Sequence, residues 1–78
     1  MPHVLVKLYS GRSDREKHRL AEAITDAVTG TLGYGAASVS VAIEDVPPKD
    51  WLAKVYEPDI RAKPGHLFKK PGYDPGDL

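Results

Sequence analysis

Between His3 and Val46 the hydrophobic period of the chain changes twice, and that double change limits the fold more than any other feature. Residues 2–9, PHVLVKLY, alternate: Val4, Val6 and Leu8 fall on one face and His3, Leu5, Lys7 and Tyr9 on the other, the period of a strand. From Asp14 to about Leu32 the apolar residues Leu20, Ala23, Ile24, Ala27, Val28 and Leu32 recur at helical spacing, which predicts one buried stripe. The segment ASVSVAIEDV then alternates again, with Val39, Val41 and Ile43 opposed to Ser38, Ser40, Ala42 and Glu44. Strand, helix and strand in that order predict an α+β fold: a βαβ unit of two parallel strands crossed by one long helix, with a right-handed connection.

The element borders carry their own signals. Ser13 followed three residues later by Glu16 is a capping box, and Asp14 adds negative charge to the first helical turn. Gly30, Gly33 and Gly35 offer C-cap and turn positions. Beyond Val46 the composition shifts, and six of the seven prolines lie there. Pro48 can open a helix, and KDWLAKVY predicts about two turns before Pro58 or Pro64 interrupts them. A short turn-rich tail is expected after Pro64. With no internal repeat and no long linker, residues 1–78 are expected to form a single domain, with a core over 2–46 and a helical, proline-rich extension over 47–78.

A chain of 78 residues stands near the lower limit at which one core stabilises itself. Cysteine is absent, so neither disulfides nor thiolate metal sites can help. His3, His18 and His66 are too far apart in sequence for a local ligand cluster, and neither metal nor cofactor is expected. Self-association is the remaining support. Two strands and one helix leave a sheet face and both edges open, so a homodimer that completes a four-stranded sheet is expected. Eleven basic and eleven acidic residues cancel at a pI near 6.8, which argues against a nucleic-acid partner. No stretch approaches the roughly 20 apolar residues of a membrane span, and the N-terminus lacks a signal-peptide pattern, so no membrane partner and a cytoplasmic location are expected.

Three residues invite a chemical reading beside a plain one. Pro2 cannot donate to a ladder and suits a strand start. A small penultimate residue also favours removal of the initiator methionine, which would leave Pro2 a secondary amine, a general base once burial or a nearby cation lowers its pKa towards neutrality. Arg12 is either a solvated loop residue or, just ahead of a helix N-terminus, part of a cradle for a carboxylate or an enolate oxygen. Trp51, the single tryptophan, is either core or an apolar wall beside the base. Lys7, Lys69 and Lys70 read as solvated charge.

These residues in this order resemble the tautomerase superfamily, the family of 4-oxalocrotonate tautomerase. The resemblance runs from Pro2 through GRSD and SVSVAIEDV to Trp51. It implies that Pro2 is the catalytic base, that Arg12 binds substrate and stabilises charge, and that Trp51 is the hydrophobic aromatic of the site. Hexameric members carry an arginine on the second strand where this chain has Ser40, and they end in a short hairpin. The longer tail with KKPGY is similar to the dimeric, PptA-like bacterial branch, which implies a homodimer. Ser40 then becomes a substrate-binding position without a cation. Together with Trp51 it favours a small monocarboxylic acid with an apolar tail, such as phenylenolpyruvate, undergoing enol–keto tautomerisation. Two alternatives stand beside this reading. One is hydration, dehalogenation or decarboxylation by the same scaffold, for which Glu44, Asp45 or Asp50 would serve as a carboxylate. The other is a non-catalytic dimeric interaction module.

Overall fold

In the computed structural model, which describes all 78 residues, β1 spans His3–Tyr9 and β2 spans Ser40–Val46, and the two pair as a parallel two-stranded sheet. The Ser40 N–H donates to the Pro2 carbonyl at 3.1 Å. In a parallel ladder that bond sets His3 opposite Ser40. The period of two then places Val4, Val6 and Leu8 with Val41, Ile43 and Asp45 on one face, and His3, Leu5 and Lys7 with Ser40, Ala42 and Glu44 on the other. An ion pair identifies the face that the helix covers: Lys17 Nζ reaches Asp45 Oδ2 at 2.9 Å.

Helix α1 occupies Asp14–Leu32, and the capping box forms as expected. The Glu16 N–H donates to Ser13 Oγ at 3.1 Å, and the Ser13 N–H donates back to Glu16 Oε1 at 3.1 Å. The helix ends at Gly33, whose φ of 77° is a left-handed cap, with its N–H bonded to the Thr29 carbonyl. The covered stripe differs from the one predicted. Lys17, Ala21, Ile24, Thr25, Val28 and Thr29 are half-buried, whereas Ala23 and Ala27 are exposed, as are Leu20 at 37% and Leu32 at 64%. A sheet only two strands wide offers one narrow line of contact, so a stripe wider than that line remains uncovered.

The second strand starts later than its alternation suggests. Ala36–Ser38 close a 3₁₀ turn in which both the N–H and the hydroxyl of Ser38 bond to the Gly35 carbonyl, and pairing begins only at Ser40. Chain contacts divide the molecule into two units, Met1–Asp45 and Val46–Leu78. The second unit opens with a 3₁₀ turn at Pro48–Asp50 and continues as a helix over Leu52–Arg61. Of the two stops expected, Pro58 is not one, because it lies inside the helix. The winding explains the tolerance. This is a π-helix, closed at its end by the Ala62 N–H on the Glu57 carbonyl, and the extra residue per turn moves the preceding carbonyls away from the proline ring that an α-helix would force together. Pro64 does limit the helix: Lys63 before it takes φ −128° and ψ 55°, outside the helical region. The tail carries 3₁₀ turns at Pro64–His66 and Pro75–Asp77. Val46 and Val55 are the buried hydrophobic residues.

Candidate active site

Pro2 immediately precedes β1, half-buried, with its carbonyl held by the Ser40 N–H. Ser40 Oγ lies 2.7 Å from His3 Nδ1, so the polar pair next to Pro2 consists of neighbours across the strand ladder. Met1 is 93% exposed, and while it is attached the Pro2 nitrogen is an amide. Its removal would expose a secondary amine at the head of the sheet.

Arg12 lies beyond the other end of β1. Seven extended residues separate the two positions, roughly 20 Å of strand at about 3.3 Å per residue. An arginine side chain does not span that distance, so Pro2 and Arg12 of one chain do not converge on one small molecule. The Arg12 guanidinium is exposed and donates through Nη1 to Glu16 Oε2 at 3.1 Å. Glu16 therefore joins the cap and the arginine. Its pKa is lowered from 4.5, first by the Ser13 backbone N–H and then by the hydrogen bond from Arg12. With one N–H engaged, the rest of the guanidinium fork remains available to a carboxylate. Beside it Leu8, Arg12, Glu16, Lys17 and Leu20 line a hollow of about 190 Å³.

In the second unit, half-buried Trp51 donates its indole N–H to the Tyr73 hydroxyl at 3.0 Å. The Tyr73 ring meets Tyr56 at 5.9 Å between centroids, and the Arg61 guanidinium lies 5.4 Å from the Tyr56 centroid. Trp51 thus belongs to an aromatic cluster of the extension. A wider hollow of about 430 Å³ along α1, lined by His18, Glu22, Thr25, Asp26 and Val41, contains none of the candidate residues.

Two contacts of the candidate residues escaped the sequence reading. Glu16 was visible as a cap, and its i to i+4 spacing from Arg12 was the available signal for the ion pair. His3 was weighed only as a metal ligand, because its pairing with Ser40 depends on register across 37 residues.

A family model described as "Tautomerase enzyme" matches residues 2–56. The chain belongs to the tautomerase family. The match contains Pro2, Arg12, Ser40 and Trp51 and ends at Tyr56. A probable tautomerase of Xylella fastidiosa (strain 9a5c) is 45% identical over 73 residues, covering 94% of this chain and 89% of that protein. Tautomerase PptA of Cronobacter sakazakii (strain ATCC BAA-894) is 35% identical over 75 residues, 95% of this chain and 99% of its own length, so the likeness to a PptA tautomerase includes the extension. Among solved structures, TomN, described as a 4-oxalocrotonate tautomerase homologue in the tomaymycin biosynthetic pathway, superposes with a TM-score of 0.63 at 42% identity, covering 64% of this chain and 77% of TomN. The βαβ unit is therefore the tautomerase fold, here with a PptA-like extension.

Proposed function

We propose that the protein is an enol–keto tautomerase of small 2-oxo monocarboxylic acids such as phenylenolpyruvate, with the Pro2 amine as its base after Met1 is removed. The observation that carries this reading is the place of Pro2 in a tautomerase-family chain: at the open head of β1, with its backbone pinned to Ser40. Pro2 takes the enol O–H proton, the released electron pair forms the C=O bond, and the C=C pair accepts the same proton at carbon. The reaction is neutral overall and needs neither metal nor redox partner. Arg12 would hold the substrate carboxylate and Trp51 would supply apolar surface.

Because Pro2 and Arg12 stand at opposite ends of β1, the reading requires two copies, one giving the amine and the other the guanidinium. A homodimer in which two βαβ units share a four-stranded sheet meets that need. Each copy, with its extension, then acts as one functional domain. The absence of a cation at Ser40 favours one carboxylate over two.

The test combines intact mass with phenylenolpyruvate ketonisation. Mature protein should lack methionine, and Pro2→Ala, which leaves a primary amine, should lose about a hundredfold or more in kcat/KM. Retained methionine or an unaffected mutant overturns the assignment.

A further inference from the structure

The polar groups at the head of the sheet suggest more than a lone base. His3 follows Pro2 directly, faces Ser40 across the ladder, and is exposed apart from the 2.7 Å contact of its Nδ1 with Ser40 Oγ. The nearby Ser38 hydroxyl is already committed to the Gly35 carbonyl at 2.8 Å. Further along the same face come Leu5 and Ala42, and the charged Lys7 and Glu44 lie four residues along their strands, about 13 Å away at 3.3 Å per residue. His3 is thus the ring-bearing donor next to Pro2 along the strand.

The Ser40 contact also bears on what that ring can do. An imidazole whose Nδ1 accepts a hydrogen bond carries its proton on Nε2, on the far side of the ring. The 2.7 Å contact accommodates a Ser40 hydroxyl donating to Nδ1, and the ¹⁵N shifts of the ring distinguish that arrangement from the reverse. The Nε2–H then points away from Ser40, on the residue that follows the base in sequence. A neutral imidazole in that role stabilises an oxyanion without competing for the proton that the base must carry.

We propose that His3 is a catalytic hydrogen-bond donor of this site: its Nε2–H, fixed in tautomer by Ser40, holds the reacting oxygen of the 2-oxo acid while Pro2 moves the proton. Ser40 is the positioning residue. The inference rests on Pro2 being the base. As the enol O–H bond breaks towards the Pro2 nitrogen, charge gathers on that oxygen and the hydrogen bond from His3 strengthens. When the prolinium returns the proton to carbon, the oxygen becomes a carbonyl and the bond weakens. His3 keeps its own proton throughout. It thereby binds the transition state more tightly than the substrate, an effect that appears in kcat.

The experiment compares His3→Leu, His3→Gln, Ser40→Ala, Ser40→Thr and Pro2→Ala in phenylenolpyruvate ketonisation, with ¹⁵N shifts of the His3 ring read at about pH 9, where an imidazole is neutral. His3→Leu should lower kcat about tenfold or more with KM within about threefold, and His3→Gln, which keeps a donor, should recover part of the loss. Wild-type ¹⁵N shifts should show the Nε2–H tautomer. Ser40→Ala should weaken that preference together with kcat, and Ser40→Thr should restore both. If Pro2→Ala is inactive while His3→Leu keeps kcat within about twofold, the His3 role falls and the base survives. An Nδ1–H tautomer in wild type likewise overturns the donor role alone. A Pro2→Ala enzyme as fast as wild type removes both.

Discussion

Glu16 answers to two neighbours through its two oxygens: Oε1 accepts from the Ser13 backbone, and Oε2 accepts from Arg12. Both contacts favour the charged form, so its folded pKa lies below 4.5. A depressed carboxylate adds stability above its unfolded pKa and loses it as pH falls through the folded value. In thermal melts, wild type should therefore exceed Glu16→Gln above about pH 5, and the gap should close as pH drops below 4.5. A gap independent of pH would assign the effect to shape rather than charge. Arg12→Ala should raise KM for a monocarboxylate about tenfold or more, since a charge-assisted bond to substrate is lost. An unchanged KM would return Arg12 to its plain role as a partner of Glu16. Spacing reveals such local pairs in a sequence. The His3 contact with Ser40 required the register of two strands, which alternation alone does not specify.

The elements differ in how far their chemistry is local. Helix α1 was legible at both ends because Ser13, Glu16 and Gly33 act on adjacent backbone, and each expected cap is present. Its covered face was less legible, since Leu20 and Leu32 are apolar yet lie outside the narrow contact with the sheet. The extension was hardest to read. Proline rules assume α geometry, and the π winding of Leu52–Arg61 removes the clash on which they depend. The two helical glycine positions give a test of opposite signs. Gly30 has open space around its missing Cβ and ordinary helical geometry, so Gly30→Ala should raise Tm by about 3 °C, from roughly 0.5 kcal/mol. Gly33 also has space, but its φ of 77° makes Gly33→Ala cost about 1 kcal/mol, or about 5 °C in Tm. Shifts of the same sign would refute this account of the cap.

At the scale of the whole molecule, one chain leaves too much uncovered. Leu5, Tyr9, Leu20, Leu32 and Phe68 are among the exposed large hydrophobics. Burial between copies would cover such surface, and with the roles proposed for Pro2 and Arg12 their separation makes the same demand from chemistry: a second chain at the site. These two arguments are independent, and a complementation experiment joins them. Pro2→Ala and Arg12→Ala should each be nearly inactive alone. If they are unfolded together and refolded at equal concentrations, half of the dimers pair one of each. In a mixed dimer one site receives an intact Pro2 from the Arg12 mutant and an intact Arg12 from the Pro2 mutant, while the other receives neither. Random pairing should therefore return about a quarter of wild-type activity. No recovery, in a sample that sedimentation shows to be dimeric, would mean that both groups act from one chain or that Arg12 is not part of the site. Recovery near that value would show that the amine and the guanidinium meet across an interface.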